Sequence, residues 1–141
     1  MKLNSKSRYA VMALADIANF NKKYPVSLRD ISLRQNISLV YLEQIFLKLK
    51  KNNIVKSIRG TNGGYILTND PNQIKLSSIF SAVDEKVKQV QCKKESKKGC
   101  NGKSTKCITH YLWDELEKYI NDFFEKKNHG DLLKNKFETK I

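Results

Sequence analysis

The sequence predicts a mainly α-helical chain with one small β-hairpin, on three observations. Apolar residues recur at helical spacing in five separate segments. Two short β-like runs flank a glycine-rich turn near the middle. A lysine-rich stretch without apolar period, residues 84–106, separates the last helix from the rest. The 141 residues suffice for one compact domain, or a small domain with an extension.

The first helix spans about Ser5 to Phe20, with Ala10, Ala13, Leu14, Ile17 and Ala18 on one small-residue face. A basic start before an apolar run also suits a signal peptide. Arg8 and Asp16 bracket the run, however, and it is short. It reads as a helix of a cytoplasmic protein. Residues 19–24 form a polar loop that Pro25 punctuates.

Ser27 followed by Asp30 has the form of a capping box. A short helix follows, with Leu28, Ile31 and Leu33 expected inward, and Asn36 ends it. Ser38 offers a second cap. The next helix places Leu39, Leu42, Ile45, Phe46 and Leu49 on one face up to about Asn52. Two short helices joined by a few residues outline a helix-turn-helix.

Ile54–Ile58 and Tyr65–Thr68 are β-like, and Arg59–Gly64 joins them as a turn. A helix-turn-helix followed at once by a hairpin has the order of a winged helix. Residues 69–72 form a loop, and Leu76–Val83 a short helix with Ile79, Phe80 and Val83 apolar. The last clear helix runs from about Thr109 to Lys127. Leu112, Trp113, Leu116, Tyr119, Ile120, Phe123 and Phe124 make a broad apolar stripe along it. Asn128–Gly130 breaks it, the tail is expected to add one marginal turn, and His129 is expected in solvent.

Charge narrows the function. Lys plus Arg number 27 against 14 acids, a net charge of +13. A fold does not need this excess, but polyanions attract it through phosphate pairing and counterion release. Residues 1–70 carry 12 basic and 4 acidic side chains, so nucleic-acid contact is expected there. No stretch approaches the ~18 uninterrupted apolar residues of a membrane span.

In a helix-turn-helix the start of the second helix reaches base edges in the major groove. Ser38, Val40, Tyr41, Glu43 and Gln44 hold those positions. Gln suits adenine, Glu accepts from cytosine, and Val touches a thymine methyl. Lys48, with Lys50 and Lys51 beyond it, suits phosphate. Arg59, beside small residues at the wing tip, suits a narrow minor groove.

Cys92, Cys100 and Cys107 lie within 16 residues, with His110 three residues beyond the last. An odd, bunched set is a poor disulfide framework and a good metal-ligand set. Thiolates and imidazole hold zinc or iron–sulfur clusters alike. The absence of a Cys-x2-Cys knuckle and the long spacers suit the larger cluster. Surrounding lysines would favour thiolates.

No phosphate loop, nucleophile elbow or placed acid–base pair is present in the sequence, so no enzyme is expected.

With both constellations on one chain, residues 1–130 resemble the IscR family of bacterial iron–sulfur cluster regulators. Ile37-Ser38-Leu39 with Tyr41–Gln44, Arg59-Gly60 with Gly63–Tyr65, Ser81–Glu85 and Cys107-x-Thr109-His110 with Leu112-Trp113 carry the likeness. Three departures stand out: slightly longer cysteine spacers, Val40 where Ser is usual, and Thr61-Asn62 in the wing. Nitrite-sensing relatives of that family lack the histidine.

The resemblance implies a homodimer whose long C-terminal helices cross at the interface. It implies a [2Fe–2S] cluster on Cys92, Cys100, Cys107 and His110. It also implies a feedback role, with the loaded protein repressing cluster-assembly genes and the residue at Glu43 discriminating operator classes. Cluster-assembly scaffold proteins are a further expected partner.

The expected organisation is a DNA-binding domain over 1–85, a cysteine-rich loop over 86–109, a dimerisation helix over 110–127 and a tail over 128–141. The competing readings are an iron–sulfur carrier or electron-transfer protein, and a zinc-stabilised DNA-binding adaptor.

Overall fold

The computed structural model describes residues 5–20, 24–83 and 108–135. Helix α1 (Ser5–Phe20) is the hub of the fold. Its Ala10 and Ala13 let neighbouring helices come close, while Leu14 and Ile17 fill the space between them. Helix α2 (Leu28–Gln35), helix α3 (Leu39–Lys51), helix α4 (Leu76–Ala82) and helix α6 (His129–Asn135) all pack against it.

Helix α2 starts as its sequence dictates. The Ser27 hydroxyl accepts a hydrogen bond from the Asp30 N–H at 3.1 Å. Asn36 ends the helix in the left-handed region at φ 54°. Leu33 departs from expectation, being 76% exposed. Two residues of helix turn it about 200° away from buried Ile31, so one short helix cannot bury both.

Helix α3 buries Leu42, Ile45, Phe46 and Leu49 as expected. Leu39, expected on that face, is partly exposed in the first turn. Ser38 holds the cap position, yet its hydroxyl makes no capping bond there.

The wing pairs strand β1 (Val55–Ile58) with strand β2 (Gly64–Leu67), with Val55 opposite Leu67 and Ile58 opposite Gly64. A third segment anchors it, because Val26 and Tyr65 exchange backbone hydrogen bonds at 3.0 and 2.8 Å. This approach needs a glycine. A Cβ on Gly64 would lie 2.4 Å from the Val26 carbonyl. The Tyr65 ring meets Phe46 edge-on at 4.9 Å and so seats the wing on α3.

A 3-10 turn, Pro71–Gln73, capped by Asp70, leads into α4. Helix α5 (His110–Lys126) packs against α4, with Phe80 and Phe124 edge-to-face at 4.4 Å. Lys75 and Ser77 both donate to Glu125, at 2.5 and 2.7 Å. The expected apolar stripe is divided. Trp113, Leu116, Ile120 and Phe124 are half-buried, while Leu112, Tyr119 and Phe123 face outward. Among the described residues no helix is long and apolar enough to cross a membrane.

From Lys127 to Asn135 the chain does not fray. Lys127 accepts from the Leu76 N–H at 3.0 Å, and the His129 N–H donates to Ile74 at 2.8 Å. Asn128 and Asp131 exchange side-chain-to-backbone bonds at 2.9 and 3.0 Å, a reciprocal cap that starts α6. His129, expected in solvent, is fully buried instead. The cap and the Ile74 bond turn it inward onto α1.

Neither His129 ring nitrogen has a well-formed hydrogen bond among the described residues. Burial pushes its pKa below the ordinary histidine value, and a backbone group of Val11 pulls the other way by less. The unfolded chain therefore binds this proton more readily than the folded one. His129 leaves stability intact above pH ~6.5 and erodes it as the pH falls below that. Melting temperatures measured from pH 7.5 to 5.5 should drop with acid, and His129→Gln should flatten that slope.

Candidate nucleic-acid interface and metal loop

The candidate base-reading side chains fall on one outer strip of α3. Val40, Glu43 and Gln44 follow the i, i+3, i+4 spacing of a single helical face, and all three are exposed. Ser38 is exposed at the start of this strip. The opposite face of α3 is the buried Leu42–Leu49 row, so the strip is held outward by the core beneath it.

Tyr41 differs from its neighbours in being half-buried. Its ring meets Tyr9 of α1 edge-on at 5.6 Å, with an interplanar angle of 88°. The ring therefore fixes α3 against α1 while part of the side chain stays exposed. The part played by Tyr9 was not legible in the sequence, since a tyrosine one residue from the apolar face of α1 carries no signal of its own.

Lys48 is partly buried at the far end of α3, and Arg59 is exposed immediately after β1. The wing backbone supports Arg59. Gly60 has φ +127°, and the Gly63 N–H donates back to Gly60 at 3.0 Å, which closes the tip into a tight turn.

A second feature that was not read from the sequence joins α1 to α2. Asp16 of α1 is buried, and Arg34 grips both its oxygens at 2.7 and 2.9 Å. Gln35 donates to the same carboxylate at 2.8 Å. The guanidinium pKa is raised, first by the hydrogen bond to Asp16. Arg34 also lies over the Phe20 ring at 4.3 Å. These contacts lock α2, the first helix of the helix-turn-helix, to α1. An acid among the apolar positions of α1 was the available signal.

Of the candidate metal ligands, Cys92, Cys100 and Cys107 lie outside the described residues. His110 is described and is buried at the first position of α5, with its ring edge-on to Tyr111 at 5.6 Å. The Trp113 indole donates to the Thr109 hydroxyl at 3.1 Å and braces this turn. The loop that bears the cysteines therefore ends on a histidine held in the protein body. Three thiolates and one imidazole make a donor set that fits either a [2Fe–2S] cluster or zinc.

The profile of the Rrf2 family, described as "Iron-dependent Transcriptional regulator", matches residues 3–135. The chain belongs to the Rrf2 family. Among curated relatives, it is similar to the HTH-type transcriptional regulator IscR of Pectobacterium carotovorum subsp. carotovorum, 46% identical over 96% of this chain and 81% of the relative. The IscR of Cronobacter sakazakii is 47% identical over 96% of this chain and 82% of that protein.

Among solved structures, T. potens IscR matches with a TM-score of 0.79 and 32% identity, covering all of this chain and 92% of that one. CymR, the global cysteine regulator of B. subtilis, matches with a TM-score of 0.78 and 25% identity over 95% and 97%. As an Rrf2 protein the chain is a transcriptional regulator with a winged-helix fold, in a family that is not enzymatic.

Proposed function

We propose that this Rrf2 regulator senses iron–sulfur cluster supply and, when loaded, represses cluster-assembly genes. One observation carries the reading: an outward recognition strip and a three-cysteine, one-histidine donor set share a chain whose cysteine loop ends on α5. Residues 1–85 form the DNA-binding domain, 86–109 the loop, and 110–127 the dimerisation helix.

Cys92, Cys100, Cys107 and His110 hold the group, a [2Fe–2S] cluster in preference to zinc. A bound cluster supplies a redox-active, oxidant-labile centre whose presence reports cluster supply. His110, fixed by its burial on α5, transmits the state of the loop to the dimer helix.

Ser38, Val40, Tyr41, Glu43 and Gln44 read bases, Lys48 holds phosphate, and Arg59 enters the minor groove. A base contact of this kind is worth about 1–3 kcal/mol. Gln44→Ala and Arg59→Ala should each weaken operator binding on the order of 5- to 150-fold. Lys48→Ala should weaken all duplexes alike and reduce the salt slope by about one. Fluorescence anisotropy with specific and scrambled duplexes measures both effects.

The protein acts as a homodimer through the exposed Leu112, Tyr119 and Phe123 of α5. Phe123→Glu should shift the chain to monomer in sedimentation velocity and lower operator affinity with it.

The cofactor is tested by an ultraviolet–visible spectrum with iron and sulfide analysis, on protein purified without oxygen. Visible charge-transfer bands with about two irons and two sulfides per chain are expected, and His110→Ala should lose them. A colourless protein holding one zinc would overturn the sensing reading.

A further inference from the structure

Helix α4, after which the cysteine-bearing segment follows in the chain, packs against the recognition helix. Its first turn is pinned to α5 by Lys75 and Ser77 on Glu125, and to Lys127, the residue that ends α5, by the Leu76 N–H. Its last turn meets α3 at Asn52, the residue that ends that helix. The Asn52 amide Nδ2 donates to Lys48 O at 2.8 Å and reaches Ala82 O at 3.5 Å. Ala82 and Val83 are buried, and residue 84 begins the segment that carries all three cysteines.

Both sides of this contact are suited to passing on a displacement. On the α3 side, the Asn52 N–H donates to Lys48 at 3.1 Å, the Asn53 N–H to Lys50 at 3.0 Å and the Ile54 N–H to Leu49 at 3.0 Å. Asn53 turns left-handed at φ 59° and feeds β1. The end of the recognition helix and the start of the wing are thus tied together by backbone hydrogen bonds. On the α4 side, a cleft of about 420 Å³ lined by Asn52, Ser78, Ser81 and Glu125 leaves room for the end of α4 to shift.

We infer that Asn52 is a positioning residue that couples the cysteine loop to the recognition helix, by holding the last turn of α4 against the end of α3. This rests on the reading under Proposed function. Coupling between two sites is a free energy, typically equivalent to about 5- to 150-fold in affinity, and it is reciprocal. Asn52 is exposed, so its replacement opens no core cavity, and the backbone cap to Lys48 remains.

The test compares Asn52→Ala and Asn52→Asp with the wild type, each as full-length protein, reconstituted with iron and sulfide or emptied by chelation. The aspartate matches asparagine in size but cannot donate to Ala82. Operator affinity is read by anisotropy in both states, and hydrogen exchange of the amides 48–53 is read with and without loading.

The wild type is expected to show a loaded-to-empty affinity ratio well away from one, with exchange that changes on loading. Both variants are expected to bring that ratio within about twofold of unity, to keep empty-state affinity within about threefold of the wild type, and to lose the exchange change. Variants that keep the full wild-type ratio overturn the assignment of Asn52 alone. A wild type that binds operator equally well loaded and empty overturns the sensing reading, and the inference falls with it.

Discussion

Phe46→Ala is expected to cost about 3–5 kcal/mol, the range for removing a fully buried aromatic ring from a well-packed core. Phe46 has no exposed surface, sits in the buried row of α3 and meets Tyr65 of β2 at 4.9 Å. Its loss removes core packing beneath the recognition strip and the seat of the wing together. Thermal unfolding should shift down on the order of 10 °C for a chain of this size. The wing should loosen before the helices do, seen as faster exchange of the β1 and β2 amides than of α1.

Asp16→Ala is the second large effect. The carboxylate accepts three side-chain hydrogen bonds in a buried site, and its removal strands Arg34 and Gln35. Breaking a buried pair costs about 3–5 kcal/mol, and the low end applies because Arg34 can turn partly toward water. Asp16→Asn keeps the shape and an acceptor, so it should lose less. Urea denaturation of the two variants separates the charge from the packing. Operator affinity should fall in Asp16→Ala at temperatures where the fold persists, because α2 is no longer held square to α1.

Much of the fold was legible in the sequence. Ser27 with Asp30, the left-handed Asn36, and Gly60 with Gly63 at the wing tip each act within a few residues, so their chemistry reads directly from order. The row Leu42, Ile45, Phe46 and Leu49 reads as well, because one helical face sees one core.

What failed were faces decided by distant partners. Leu33 looked like a core residue in a helix too short to bury it. The apolar stripe of α5 looked like one surface, but α4 takes only the part around Phe124 and leaves Tyr119 and Phe123 outside. His129 looked like a surface histidine because its polar neighbours are local. Its burial comes from Ile74 and α1, more than fifty residues away in sequence.

The candidate site divides in the same way. The identities of Val40, Glu43, Gln44 and Arg59 follow from motif order, and the exposure of their strip follows from the buried row opposite. The bracing by Tyr9 and the end contact of Asn52 do not, because each joins elements that only tertiary packing brings together.

The most direct test of the central claim is the affinity of full-length, anaerobically prepared protein for operator and scrambled duplexes, measured with the loop loaded and with it emptied. Site-selective binding whose affinity or operator preference changes with loading is expected. Binding that discriminates no sequence, or that is the same in both states, would contradict it.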